Sequence, residues 1–177
     1  MIGFFGSRMC RDYETIRSVL RALKDRANLQ QVVTGDCRGV DKLTYRACKE
    51  LGIPVRVFVV ENNPLGYSPE RGDIVEVVRA GDLRVALRER TKKLVKYVKE
   101  HGGMLVGYQV NGKGSQLAIR TARELGVLVF VVDRDARKLR RHLSKPAVPQ
   151  NPQSHSKPSP KEEIHGKKME KRERREK

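Results

Sequence analysis

Three short glycine-bearing segments hold the residues of this chain that can do chemistry. Gly6-Ser7-Arg8 follows the apolar run Ile2-Gly3-Phe4-Phe5. Gly35-Asp36-Cys37-Arg38-Gly39-Val40-Asp41 follows Gln31-Val32-Val33-Thr34, and Gly112-Lys113-Gly114-Ser115 stands close behind Met104-Leu105-Val106-Gly107. An apolar run, a glycine turn and a helical pattern in succession aim free backbone N–H groups and a positive helix end at an anion. Repetition of that unit points to one pocket lined from several sides and built for a phosphorylated or otherwise anionic small molecule.

Each side chain in these segments has a functional and a structural reading. Ser7 can donate to a phosphate and Arg8 can cover it, or Arg8 is a surface residue after a turn. Arg38 can clamp a phosphate with its planar fork, or pair with Asp41 or Asp36. Asp41 opens a helix, where a carboxylate favours the dipole; its alternative is a ribose hydroxyl. Lys113, Gly114 and Ser115 resemble a truncated phosphate loop without the full Walker spacing, so ATP hydrolysis is not expected, and Ser115 is also a natural helix N-cap. No cofactor or metal is implied. The four histidines are scattered, and Cys10, Cys37 and Cys48 have neither disulfide nor metal-site spacing.

The elements that must position these segments alternate between strand and helix. Strands are expected at Ile2 to Phe5, Gln31 to Thr34, Val55 to Val60, Met104 to Tyr108 and Val127 to Val132. Apolar residues at three- and four-residue spacing mark helices between them: Ile16, Val19, Leu20 and Leu23 after Asp12, then Leu43, Ala47, Cys48 and Leu51 before Gly52. A third helix is expected over 88–100, with Leu94, Val95 and Val98 inward, and a fourth over 115–125. Residues 61–87 read as a loop followed by a small hairpin insertion, Ile74 to Val78 against Leu83 to Leu87. A basic helix is expected from Asp133 to His142. The sum is an α/β, Rossmann-like three-layer fold with a mainly parallel five-stranded sheet in the order 3-2-1-4-5, its three glycine turns meeting above strands one and four.

Charge and composition bound the partners. Of 177 residues, 38 are Lys or Arg and 21 Asp or Glu, a net charge of +17. Residues 142–177 hold five of the eight prolines and almost no large apolar side chain, so they read as a disordered basic tail behind a folded domain spanning 1–141. The excess charge belongs to both parts. It suits nucleic acid, bound through a basic face and the tail, and it equally suits the solvated surface of a thermophile protein. Arg88, Arg90, Lys92, Lys93, Lys96 and Lys99 crowd the third helix with the same two readings. Tyr67 and Tyr108 can stack on a base, though aromatics make up only 5% of the chain, too few for a single-strand stacking platform. No apolar stretch approaches membrane-spanning length, and a cytoplasmic protein without a membrane partner is expected.

Gly6-Ser7-Arg8, Val33-Thr34-Gly35-Asp36-Cys37-Arg38-Gly39-Val40-Asp41 and Gly112-Lys113-Gly114-Ser115 together resemble the SLOG superfamily, over roughly residues 1–133. That group includes the Smf/DprA DNA-processing proteins, the LOG phosphoribohydrolases and the YspA-like proteins. Members read Gly-Ser-Arg on strand one, Gly-Gly-Ala-Arg-Gly-Ala-Asp after strand two and Gly-Gly-x-Gly-Thr after strand four. The resemblance implies a nucleotide or nucleotide-derived ligand, held at Gly6, Ser7, Arg8, Gly35, Asp36, Arg38, Gly39, Asp41, Arg90, Gly112, Lys113, Gly114 and Ser115. Homodimers are common in sister families. Two alternatives come with it: single-stranded nucleic-acid binding as in DprA, and phosphoribohydrolase activity.

Departures from the pattern weigh against the last of these. Asp36 replaces the usual second glycine, and Asn111 and Lys113 alter the third motif. The phosphoribohydrolases place a catalytic Glu three residues after the motif's Thr; here that position is Ala118. Their partner Arg is matched by Arg90 in Glu89-Arg90-Thr91. Without the carboxylate, N-glycosidic cleavage by that route is not expected, unless Glu70 or Glu89 substitutes for it.

Overall fold

Apolar alternation along each strand explains the layering. In the computed structural model, which describes residues 1–133, β1 (Ile2–Gly6), β2 (Val32–Gly35), β3 (Val55–Val60), β4 (Ile74–Val78), β5 (Met104–Tyr108) and β6 (Val129–Val131) form one sheet in the order β4-β3-β2-β1-β5-β6. Every pairing is parallel. Successive strand residues point to opposite faces, so Phe4, Val32, Val57 and Val106 join one core while Phe5, Val33, Phe58 and Leu105 join the other.

Helices cover both faces. α1 (Tyr13–Ala27) and α2 (Val40–Leu51) pack on the first core through Ile16, Leu20, Leu23, Ala47 and Cys48. α3 (Leu83–Glu100) and α4 (Lys113–Glu124) pack on the second through Leu94, Val95, Val98, Ile119 and Ala122. Asp12 caps α1, its Oδ1 accepting from the Thr15 N–H at 3.0 Å. Cys48, expected on a buried helix side, has no exposed surface.

The expected α/β class and parallel sheet are present, but strand number and order need correcting. The sheet has six strands, because Ile74–Val78 is not half of a hairpin insertion; it lies parallel to β3 at the sheet edge. Its supposed partner, 83–87, is the first part of α3. Asp82 is the reason: its Oδ1 accepts from the Val85 N–H at 2.9 Å, a cap that starts the helix five residues before the expected position. At 18 residues, α3 is about 27 Å long, enough to return the chain from the β4 edge across the sheet to β5. The expected helix at 133–142 and the tail at 142–177 lie outside the described residues, apart from Asp133. Among the described residues, no helix is long and apolar enough to cross a membrane.

Candidate functional site

Strand β1 is followed in the chain by its neighbour β2, yet its other neighbour is β5, so the sheet's winding reverses beside it. At that reversal a cavity of about 940 Å3 opens past the strand ends. Gly6, Ser7 and Arg8 enter it from β1, Gly35, Cys37 and Asp41 from the β2–α2 junction, and Gly112 to Gln116 from the start of α4. Arg84, Leu87, Arg88, Arg90 and Thr91 of α3 complete the wall. Phe5, Leu94, Leu105 and Ala118 add an apolar portion.

The three glycine segments therefore meet, but they do not all present amides to the cavity. The β2–α2 loop spends three of its backbone donors on protein partners. The Cys37 N–H donates to Asp41 Oδ2 at 3.2 Å, the Arg38 N–H to the Leu65 carbonyl at 3.0 Å, and the Val40 N–H to the Ser7 carbonyl at 3.0 Å. Gly39 lies outside the lining residues. Its φ of 73° and its contact with the Ser7–Arg8 backbone let the first two loops pack together, and a Cβ there would collide with the Ser7 carbonyl. The Ser7 side chain accepts from the Met9 N–H at 3.1 Å.

By contrast, α4 begins at Lys113 behind Gly112, with no side-chain cap. The first intrahelical donor is the Gln116 N–H, bonded to the Gly112 carbonyl at 3.0 Å, which leaves the N–H groups of Lys113, Gly114 and Ser115 at an open helix end. Of the two readings of Ser115, phosphate-loop residue or helix N-cap, the second does not hold: Gly112 is the N-cap, and Ser115 sits in the first turn, buried against the cavity.

Asp36, Asp41 and Arg90 form a buried ion cluster. Arg90 Nη1 donates to Asp36 Oδ1 at 2.7 Å and to Asp41 Oδ2 at 3.4 Å, and lies 3.5 Å from Cys37 Sγ. Asp36 Oδ2 also accepts from the Val60 N–H and from Asn63 Nδ2, each at 3.0 Å. Asp36 is thus not a charge facing a ligand: it holds the 60–63 segment against the end of β2. A Cβ at Gly35 would overlap the Arg90 guanidinium and Asp41 Oδ2, so a larger residue there must displace the ion cluster. Burial pushes the Asp41 carboxyl up to about 6 against the pull of Arg90 and the Cys37 N–H, and burial also raises the Cys37 thiol. Burial opposes the charge on Arg90, but Asp41, Cys37 and Asp36 outweigh it and hold the guanidinium above its ordinary value. Arg90 Nε has no hydrogen-bond partner among the described residues.

Among the described residues, seven cationic side chains line the cavity, Arg8, Arg84, Arg88, Arg90, Lys92, Lys113 and Arg120, against the single carboxylate of Asp41. Arg38 is not among them. It is exposed, with Nη2 directed at the Pro64 carbonyl at 3.5 Å, so it neither reaches the cavity nor pairs with Asp36 or Asp41. Sequence reasoning missed Arg84, Leu87 and Arg120. The signal for the first was present: Arg84, Arg88 and Lys92 recur every four residues once α3 is allowed to start at Leu83.

Other expected candidates have structural duties. Tyr67 donates to the Gly35 carbonyl at 3.1 Å and packs on Tyr45, while Tyr108 donates to Asp12 Oδ2 at 2.5 Å. Neither lines the cavity as a stacking surface. On α3, Lys93 pairs with Glu76, Lys96 approaches Glu100 at 3.8 Å, and Lys99 donates to the Leu125 carbonyl at 2.5 Å. Glu89 pairs with Lys92 at 2.9 Å and Glu70 with Lys49 at 2.8 Å, and neither is a lining residue. Ala118 lines the cavity at 3% exposure, so the position where the resemblance implies a carboxylate is a methyl group in the apolar core. No group of His, Cys, Asp or Glu among the described residues could hold a metal ion.

Compared with known proteins, the chain matches no protein-family model and no curated protein.

Proposed function

We propose that this chain is a SLOG-like domain whose cavity binds a nucleotide or a nucleotide-derived phosphorylated small molecule. One observation carries the reading: the open N-terminus of α4, Ser7 and Arg8 of the β1 loop, and Lys113 converge on one cavity beside the sheet's reversal point. A phosphate at that helix end would meet three free N–H groups and a positive dipole. The apolar part, with Phe5, Leu94, Leu105 and Ala118, suits an uncharged ring, which desolvation would hold there. The chemistry is binding rather than glycosidic hydrolysis. Ala118 supplies no acid, and the cavity's carboxylate, Asp41, already accepts from Arg90 and the Cys37 N–H.

Calorimetric titration with nucleoside mono- and diphosphates tests the reading. Saturable heat is expected, weakened roughly tenfold in Lys113→Ala through loss of one charge-assisted contact. Absence of heat from every nucleotide, with folded protein, would refute it.

A further inference from the structure

The cationic row on α3 is longer than one phosphate can use. Arg84, Arg88 and Lys92 all line the cavity, and at the helical rise they extend over about 12 Å. An ion pair acts at contact distance, up to roughly 4 Å, so one phosphate seated at the α4 end leaves most of the row unanswered. Lys92 is offset by Glu89. Neither Arg84 nor Arg88 has a carboxylate within 4.0 Å among the described residues. Both are exposed, one turn apart, and like charges at that spacing work against the helix that carries them.

We infer that Arg84 and Arg88 form a second anion subsite, so that the cavity's ligand carries at least two anionic groups, as a nucleoside di- or triphosphate does. This rests on the nucleotide reading and narrows it. The first phosphate sits at the start of α4 and the rest of the chain of phosphates runs along α3. A single nucleic-acid strand is a poorer match, because among the described residues Phe5 is the one aromatic in the lining and is 7% exposed, which gives successive bases little there to stack on.

The test uses the full chain with adenosine and guanosine mono-, di- and triphosphates, inorganic tripolyphosphate and a single-stranded oligonucleotide. Affinity is expected to rise roughly tenfold or more from mono- to triphosphate. An Arg84→Gln/Arg88→Gln variant should bind the triphosphate no better than the monophosphate; both positions are exposed, and a melting temperature no lower than the parent's verifies folding. Equal affinity for mono- and triphosphates overturns the second subsite and leaves the nucleotide reading standing. Tripolyphosphate bound through the two arginines, with no nucleotide bound, upholds the subsite and removes the nucleotide. An oligonucleotide that binds more tightly than the triphosphate and needs the same arginines overturns the proposal in favour of nucleic acid.

Discussion

Arg90 and Asp36 are 54 residues apart in the chain, yet Arg90 Nη1 lies 2.7 Å from Asp36 Oδ1 with both side chains nearly closed to solvent. That contact joins the middle of α3 to the end of β2, and Asp41 joins it from the first turn of α2. Three elements are therefore fastened beneath the cavity by charge in addition to their apolar packing. A buried pair of this kind is fragile to loss of one partner, because the other is left charged and unsolvated.

Arg90→Leu strands two carboxylates. It is expected to cost about 3–5 kcal/mol of stability, read as a lowered midpoint in urea unfolding. Adding Asp36→Asn and Asp41→Asn to that variant should recover part of the loss. An Arg90→Leu protein as stable as the parent would show that the cluster carries no weight.

Asp41 gives a pH dependence. Its folded pKa, about 6, stands above the ordinary 3.8, so between those values the folded chain holds a proton that the unfolded chain has released. Its contribution to stability is complete below the ordinary value and is lost as pH rises through about 6. Protonation also removes the one carboxylate charge that lines the cavity among the described residues. Affinity for a dinucleotide whose phosphodiester charge does not change should rise as pH falls from 7.5 toward 5, and Asp41→Asn should flatten that profile. Carbon-13 NMR of the side-chain carboxyl would locate the midpoint directly.

Gly39 and Gly52 separate conformational strain from collision. Both have left-handed φ, 73° and 62°, but only at Gly39 would a Cβ meet other atoms, the Ser7 and Arg8 backbone. Gly52→Ala should cost about 1–2 kcal/mol from backbone strain alone. Gly39→Ala should cost clearly more and weaken ligand binding, since the β1 loop must move. Equal thermal shifts in the two variants would contradict this account.

Tyr108→Phe removes the hydroxyl that donates to the α1 cap, Asp12. Tyr108 and Thr15 hold the Asp12 carboxyl below its ordinary value, so its contribution is present above that value and lost as pH falls. A loss of about 1–2 kcal/mol is expected near neutrality, smaller at low pH where Asp12 is protonated. Denaturant unfolding at two pH values measures both.

Much of the scaffold could be read from local pattern. The apolar runs at Ile2 to Phe5, Val55 to Val60 and Met104 to Tyr108 are strands, and the three- and four-residue spacing of Ile16, Leu20 and Leu23 marks a buried helical face. Residues 74–87 were the exception. Two short apolar runs around Gly81-Asp82 suit a hairpin and a strand–cap–helix equally well, and periodicity over five residues does not separate them. Competition between neighbouring surfaces decided: β3 needed an edge partner, and Leu83, Ala86 and Leu87 had Val60 and Val78 to pack on.

The site divides along the same line. Residue types and spacing by themselves indicated that Gly6-Ser7-Arg8, the 35–41 turn and 112–115 each follow a strand and lead toward a helix, because each segment records its own backbone geometry. They could not say which turn keeps its amides free, since that depends on partners distant in the chain: Leu65 and Ser7 occupy the donors of Arg38 and Val40, while Lys113 to Ser115 begin a helix without a side-chain cap among the described residues. The fates of Asp36, Arg90 and Arg84 were likewise decided only by tertiary structure. Whether a charge is neutralised in the interior or left facing a cavity is a matter of what folding brings within a few ångströms of it, and a charge carries no local signature of its future neighbour.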